Sequence, residues 1–88
     1  KAKIKSLIVR PGKKLSYQKH HHRNEHWFVI KGTATIRLND KQYEVATFNT
    51  FDIKVGEWHQ LINHGKDDLI VVEVQFGEKC IEKDVERG

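Results

Sequence analysis

Four of the six histidines lie within seven residues, from His20 to His26, and an acidic residue, Glu25, lies among them. Side chains alternate between the two faces of a β-strand, so Gln18 and His20 share one face. A short turn would then return Glu25 to the inner face of the next strand, and His59 would lie on a later strand. Two imidazoles, a carboxylate and an amide oxygen that converge inside a barrel can hold a divalent metal. The competing interpretation is a solvated histidine-rich loop or a tag, but a tag would be a longer pure run.

The hydrophobic pattern around these residues has the two-residue period of β-strands. Short alternating runs are separated by turn sequences, namely Pro11-Gly12, Lys31-Gly32, Asn39-Asp40, Val55-Gly56 and Asn63-His64-Gly65. No helix-length amphipathic stretch precedes residue 77, so the pattern predicts one all-β domain over residues 1–88, a sandwich or barrel of about eight strands. The charged tail, residues 77–88, is compatible with a loop, a short helix or a frayed end.

The pleat of the central strands can be phased from two predicted hairpins. A two-residue turn at Lys31-Gly32 would pair Val29 with Ala34, and a turn at Asn39-Asp40 would pair Ile36 with Tyr43. The residues that then share one face are Glu25, Trp27, Val29, Ala34, Ile36, Leu38, Tyr43 and Val45. This face is apolar except for Glu25, so it is the predicted interior. A carboxylate there is costly unless it is paired or bound to a metal.

The run from Leu69 to Phe76 is apolar on both of its faces. A small barrel has one interior, so the other face needs cover, and a second copy of the chain is the simplest cover. We therefore expect a homodimer; the contributing residues would be Phe28, Ile30, Trp58, Ile70, Val72 and Val74. The alternative is that the tail or the N-terminal strand covers this face.

Composition excludes several classes of protein. The 88 residues allow one domain, since domains typically have roughly 50–250 residues. The net charge of +4 favours an anionic ligand, but no basic stripe interleaved with aromatic residues occurs, so nucleic acid is not an expected partner. No apolar run reaches membrane-spanning length and no signal-peptide pattern is present. The single cysteine, Cys80, excludes an internal disulfide and suits a cytoplasmic location.

Two spaced motifs resemble those of the cupins. The pattern Gly12-x5-Gln18-x-His20-x4-Glu25-x6-Gly32 resembles the first cupin motif, with glutamine at the place of a common first histidine. The pattern Gly56-x2-His59-x3-Asn63 resembles the second, although Lys54 replaces its usual proline and Phe48 its leading glycine. The strings QKHHHRNEHWFVIKGTA, VGEWHQLIN and LIVVEVQFGE are similar to the cupin domain of type II phosphomannose isomerases. That domain often forms the C-terminal part of bifunctional mannose-6-phosphate isomerase/mannose-1-phosphate guanylyltransferases.

The resemblance implies a cupin fold, that is, a small double-stranded β-helix or jelly-roll barrel, and a metal-dependent isomerase in polysaccharide biosynthesis. Mannose 6-phosphate would be converted to fructose 6-phosphate through an enediol. The family's metal ligands match Gln18, His20, Glu25 and His59, with zinc the first candidate and manganese, nickel, cobalt or iron open. Arg87 matches a position suited to the sugar phosphate. The proton-transferring base is not assigned; the candidates by chemistry are His22, Glu73, Glu82 and Asp84.

The chain also departs from the family pattern. Lys79, Cys80 and Ile81 replace a tyrosine, a leucine and a glycine, and an upstream Arg-Pro-Trp-Gly segment of the family is not among these residues. We therefore expect weak or absent isomerase activity in residues 1–88 alone, and no guanylyltransferase activity. The alternative function is a non-catalytic, stand-alone cupin that binds a metal and a sugar. A third hypothesis is an iron dioxygenase, but Gln18 and the HHHR-x-EHW string argue against it.

Overall fold

The computed structural model describes residues 1–88, and every regular element in it is a β-strand. The strands are β1 (Ala2–Val9), β2 (Gln18–Lys19), β3 (Arg23–Lys31), β4 (Ala34–Leu38), β5 (Lys41–Val45), β6 (Thr50–Ile53), β7 (His59–Ile62), β8 (Leu69–Gly77) and β9 (Glu86–Arg87). The predicted all-β class is confirmed, and the count is one above the expected eight. No helix in the chain is long and apolar enough to cross a membrane.

The strands form two antiparallel sheets that enclose the interior. One sheet has the order β1-β8-β3-β6, and the other has the order β5-β4-β7-β2-β9. Both sheets are open, so the domain is a double-stranded β-helix with two separate sheets and no continuously hydrogen-bonded closed barrel. This arrangement puts β3 and β8 side by side in the first sheet and β7 across the interior from them.

One of the two predicted hairpins is confirmed and the other is wrong. β4 and β5 pair as expected, with Ile36 opposite Tyr43 and Ala34 opposite Val45. β3 and β4 do not pair, because β3 lies between β6 and β8 whereas β4 lies between β5 and β7. The chain crosses between the sheets at Gly32, where φ is +85°. Alternation identifies the inward face of a strand but not its neighbour, which explains the error.

One half of the interior is an apolar core. Its ten buried side chains come from both sheets, and they are Val9, Trp27, Val29, Ala34, Ile36, Val45, Ile53, Leu61, Leu69 and Val71. The predicted inward residues of β3 and β4 are therefore mostly correct. Tyr43 is an exception: it is 39% exposed on the edge strand β5, where its ring packs against Phe51 at a centroid distance of 5.4 Å. We call this half the apolar end.

The outer face of the first sheet is apolar and open. β1 pairs along β8 and extends this face sideways, with Ile4 opposite Val74 and Ile8 opposite Ile70. Ile4 is 71% and Ile8 55% exposed. The alternative prediction was that the N-terminal strand covers this face. The strand instead extends the face and adds apolar surface to it.

Candidate metal centre

The other half of the interior, which we call the polar end, is built by the same strands. Along β3 the inward side chains change from Val29 and Trp27 to Glu25 and Arg23, and along β8 they change from Val71 to Glu73 and Gln75. Because the two strands are antiparallel, Glu25 lies opposite Gln75 and the charged ends coincide. The polar side chains that are less than 9% exposed at this end are His20, Arg23, Glu25, His59, Glu73, Gln75 and Asp84.

Three of the four predicted metal ligands converge at this end. Nε2 of His20 lies 3.1 Å from one carboxylate oxygen of Glu25, and Nε2 of His59 lies 3.9 Å from the other. Ligand atoms of these three residues all lie within 4.8 Å of one another. The spacing is compatible with a single ion that binds all three after small side-chain movements.

Both imidazoles are oriented through their other ring nitrogen. Nδ1 of His20 lies 2.5 Å from the backbone oxygen of Asp84, and Nδ1 of His59 lies 3.0 Å from the backbone oxygen of Glu57. A carbonyl oxygen only accepts, so each Nδ1 carries a hydrogen, and in the neutral imidazole Nε2 then has the lone pair. Burial lowers the pKa of His59, which keeps that imidazole neutral. Neutral imidazoles with a fixed Nδ1–H are the form that binds metals.

Glu25 is the anionic centre of the polar end. Although burial raises its pKa, the hydrogen bonds at its carboxylate outweigh burial and hold the pKa well below the usual range. Its carboxylate accepts hydrogen bonds from the Trp27 indole at 2.9 Å and from Nε of Arg23 at 3.0 Å. A buried carboxylate that is ionised and flanked by two neutral imidazoles suits a divalent cation.

The guanidinium of Arg23 bridges two of these ligands. Besides Glu25, it donates to Nε2 of His20 at 3.1 Å, so it uses the same lone pairs that a metal would use. The nitrogen and oxygen ligands of His20, Glu25 and His59 fit a cation. For a metal to bind them, the guanidinium must first break its hydrogen bonds to these ligand atoms. Sequence analysis did not single out Arg23, although the alternation of β3 predicts that it shares the inward face with Glu25.

The fourth predicted ligand, Gln18, lies beside this trio. It is opposite His59 in the β2–β7 pair, and it lines the same cavity. Its amide nitrogen donates to the Ser16 hydroxyl at 3.0 Å, which leaves the amide oxygen as the atom available to a metal. Ligation by Gln18 stays a prediction.

Of the four candidate bases, Glu73 is the one buried in the cavity. Burial raises its pKa to about 7, and the hydrogen bond and negative charge of neighbouring Glu25 act in the same direction. The Gln75 amide donates to its carboxylate at 2.5 Å. A carboxyl group that titrates near neutral pH can both take up and release a proton.

The other three candidates occupy different environments. His22 is on the surface, where its Nδ1 lies 3.2 Å from Glu78, and it does not line the cavity. Asp84 is buried, but its two oxygens accept hydrogen bonds from the backbone N–H groups of His21 and His22. These two bonds outweigh the effect of burial and lower the pKa of Asp84. Glu82 is exposed at the cavity mouth.

The cavity at the polar end has a volume of about 170 Å³ and opens beside β9. Arg87, Lys5 and Glu82 line its mouth, and Lys5 is 3.1 Å from Glu82. Sequence analysis missed Lys5, because the pairing of β1 with β8 cannot be read from the lysine-rich N-terminus. Pockets that enclose drug-sized ligands are typically about 300–1,000 Å³, so this cavity can enclose only part of a ligand of that size.

The fold and this polar cavity define a cupin-type, double-stranded β-helix domain. An uncharacterised protein from Klebsiella pneumoniae with a double-stranded β-helix domain superposes with a TM-score of 0.88 at 19% identity, over 99% of this chain and 74% of that one. The chain itself belongs to the mannose-6-phosphate isomerase C-terminal family, whose profile matches residues 1–88.

Named relatives of the family are larger proteins. The alginate biosynthesis protein AlgA of Pseudomonas aeruginosa is 42% identical over 84 residues, which are 96% of this chain and 18% of that protein. A mannose-1-phosphate guanylyltransferase of Escherichia coli O157:H7 is 41% identical over 97% of this chain and 18% of its own length. The chain thus spans less than a fifth of the length of these relatives.

Proposed function

We propose that this domain binds one divalent metal and acts on a sugar phosphate as an aldose–ketose isomerase, with mannose 6-phosphate and fructose 6-phosphate as its substrate pair. The observation that carries the proposal is the buried trio of His20, Glu25 and His59, in which both Nε2 atoms lie within 3.9 Å of one carboxylate. Membership of the mannose-6-phosphate isomerase C-terminal family supports the substrate class.

Gln18, His20, Glu25 and His59 would hold the metal. Two nitrogen and two oxygen donors suit zinc, and they also suit manganese, nickel, cobalt or iron. A metal bound there would supply Lewis-acid polarisation of the sugar carbonyl and would hold the neighbouring hydroxyl.

Glu73 is the proposed base. In its ionised form it would take the C2 hydrogen of the aldose as a proton. The C2–H electron pair would form the C1–C2 double bond, and the C1=O π pair would move to O1, which gains a proton to give the enediol. The protonated carboxyl would then return its proton to C1, while O2 loses its hydroxyl proton and the C2=O bond of the ketose forms. A pKa of about 7 suits both steps at neutral pH. The other three candidates lack this combination of burial and cavity access.

The cationic mouth would bind the phosphate. Arg87 can bind two phosphate oxygens at once, and Lys5 would exchange its exposed Glu82 partner for the incoming anion. The reacting carbons would then lie deeper, near Glu73 and the metal ligands.

Fructose 6-phosphate titrated against metal-loaded and metal-free protein tests the binding half of the proposal. We expect tight binding only with metal, and weaker binding for Arg87→Ala than for the control Arg10→Ala, whose side chain pairs with Asp68 away from the cavity. Equal affinity with and without metal would reject the sugar-phosphate assignment.

Turnover is tested separately, by a coupled isomerase assay, in which residues 1–88 alone are expected to show weak or no activity, and by exchange of the C2 hydrogen with deuterated solvent. Loss of a positioned base typically costs about 10²–10⁴-fold, so Glu73→Gln should lower exchange by that factor, and Glu82→Gln should lower it little. Binding without any exchange in the wild type would favour the alternative, a non-catalytic cupin that binds metal and sugar.

We also propose that a second copy of the chain covers the outer face of the first sheet. The exposed or half-buried apolar side chains on this face are Ile4, Ile8, Phe28, Ile30, Ile70, Val72, Val74 and Phe76. Light scattering should give the mass of two chains, and Val74→Glu should give one, whereas Ile81→Glu, an exposed position in the tail, should leave the dimer intact. A wild-type mass of one chain at micromolar concentration would reject the dimer.

A further inference from the structure

The segment after β8 crosses the polar end instead of fraying into solvent. It begins at Gly77, where φ is +143° and a Cβ atom would lie only 2.8 Å from the backbone oxygen of His22. The Lys79 N–H donates to that same oxygen at 3.2 Å. β9 then pairs with β2, which brings the segment back to Gln18. Residues 78–87 are therefore tied at both ends to the loop that carries the predicted ligands.

The Asp84 side chain fixes the backbone of that loop. Its two carboxylate oxygens accept hydrogen bonds from consecutive N–H groups, those of His21 at 2.8 Å and His22 at 2.9 Å. Asp84 is 7% exposed, so the two bonds are partly shielded from water. Without an acceptor, two N–H groups in the turn after His20 would lose their hydrogen-bond partner in the protein.

The Asp84 backbone fixes the imidazole itself. Its carbonyl oxygen lies 2.5 Å from Nδ1 of His20, so Nδ1 carries the hydrogen and Nε2, 3.1 Å from Glu25, is the nitrogen left to bind a metal. One residue thus sets both the path of the ligand loop and the tautomer of a ligand. Groups that orient a ligand in this way typically change metal affinity about 10–100-fold when they are lost.

We propose that Asp84 is a positioning residue for the metal centre, and that metal occupancy and docking of residues 78–87 stabilise each other. The inference rests on the proposed metal site. Coupling of two binding equilibria is reciprocal, so a segment that improves metal affinity must itself be held more firmly when metal is bound. Asp84 does this without ligating the ion, since both side-chain oxygens are engaged with backbone N–H groups.

Chelator competition with Co²⁺ measures the first half of this coupling. Asp84→Ala removes both side-chain bonds, and we expect its Co²⁺ affinity to fall about 10–100-fold and the visible absorption of the bound Co²⁺ to change shape. Asp84→Asn keeps one acceptor oxygen, so its affinity should lie between those of Asp84→Ala and the wild type. Lys83→Ala, at the exposed neighbouring position, should bind Co²⁺ like the wild type.

A second control separates positioning from general loss of stability. Val29→Ala in the apolar end should destabilise the fold but leave Co²⁺ affinity and absorption unchanged. The reciprocal half of the coupling is read from amide hydrogen exchange at His21 and His22, which Co²⁺ should slow in the wild type and slow less in Asp84→Ala.

Wild-type affinity and absorption in Asp84→Ala would overturn this inference and leave the metal site intact. A wild type that binds no Co²⁺ would overturn the metal site itself, and the inference with it.

Discussion

The two ends of the interior are equally buried but are held together differently. In the apolar end, Val29 and Ile36 are 0% exposed, and in the polar end Glu25 is 1% and Gln75 0% exposed. Apolar groups are stabilised by burial itself, whereas a buried polar group must find a partner. Nearly every buried polar side-chain atom has one, and the exception is the amide oxygen of Gln75. The polar end therefore contributes less to stability than its burial suggests, which is expected of a site kept for binding or chemistry.

The largest expected effect comes from removing the centre of the polar end. Glu25→Ala leaves the buried Arg23 guanidinium without its carboxylate partner, so we expect a loss of about 3–5 kcal/mol in the free energy of unfolding of the metal-free protein. It should also abolish the stabilisation by added Co²⁺, as should His59→Ala, because an ion that binds only the folded state raises stability by mass action. Urea unfolding with and without Co²⁺ measures both effects.

The matched change in the apolar end is Val29→Ala. We expect it to lower stability by on the order of 2 kcal/mol through lost burial and a small cavity, with the Co²⁺-dependent increment unchanged. If Glu25→Ala fails to fold, Glu25→Gln keeps the side-chain shape and should still lose the Co²⁺ increment. Full metal occupancy in both the Glu25 and the His59 variants would contradict the ligand assignment.

A smaller effect is the pH dependence of stability, which we expect from the polar end and not from the apolar end. Burial and the neighbouring Glu25 raise the pKa of Glu73 to about 7 from an ordinary value near 4.5. Between these values the folded state of the metal-free protein holds a proton that the unfolded chain has released, so stability from this group falls as pH rises and stays low above pH 7. The full shift corresponds to on the order of 3 kcal/mol.

Urea unfolding of metal-free wild type and Glu73→Gln between pH 4.5 and 8 tests this. The variant lacks the titration, so its stability relative to wild type should increase by about 1–3 kcal/mol across the range. The lowered pKa of His59 acts with the opposite sign, favouring stability as pH rises, but it is common to both proteins and cancels in the difference. A difference that does not change with pH would contradict the raised pKa.

What the sequence could predict differs between the two ends. The alternation in β3 predicted the inward positions of Glu25, Trp27 and Val29, because the pleat is a local property of the strand. The prediction that β3 and β4 form a hairpin was wrong, because a turn at Gly32 does not reveal whether the chain stays in one sheet or crosses to the other. The position of His59 near Glu25 was predicted as part of the convergence of ligands on one interior.

The partners that orient the polar end could not be predicted. The contact of Asp84 with His20 joins residues 64 positions apart, through a backbone oxygen that no side-chain pattern encodes. Arg23 could have been found, since the alternation that makes Glu25 inward makes Arg23 inward too. A buried carboxylate calls for a partner, and the nearest cation on its own face was two residues away.

The smallest expected effect lies in the turn beside the apolar end. Phe48 occupies the place of the leading glycine of the second cupin motif, and its φ of +71° lies in the left-handed region that favours glycine. Its N–H donates to the backbone oxygen of Val29 at 2.6 Å, which ties the turn to β3, while its side chain is 72% exposed. The residue therefore has the strain of that conformation with little burial in return.

Phe48→Gly should stabilise the protein by about 0.5–1 kcal/mol. Relief of a left-handed backbone at a non-glycine residue is worth roughly 1–2 kcal/mol, and the greater freedom of glycine in the unfolded chain offsets about 0.4–1 kcal/mol of it. Phe48→Ala removes the ring but keeps Cβ, so the strain and the stability should both stay close to wild type. If alanine stabilised the protein as much as glycine, the gain in stability would come from removing the ring and not from relieving the backbone. Because the change lies in the apolar end, Co²⁺ affinity should be the same in all three proteins.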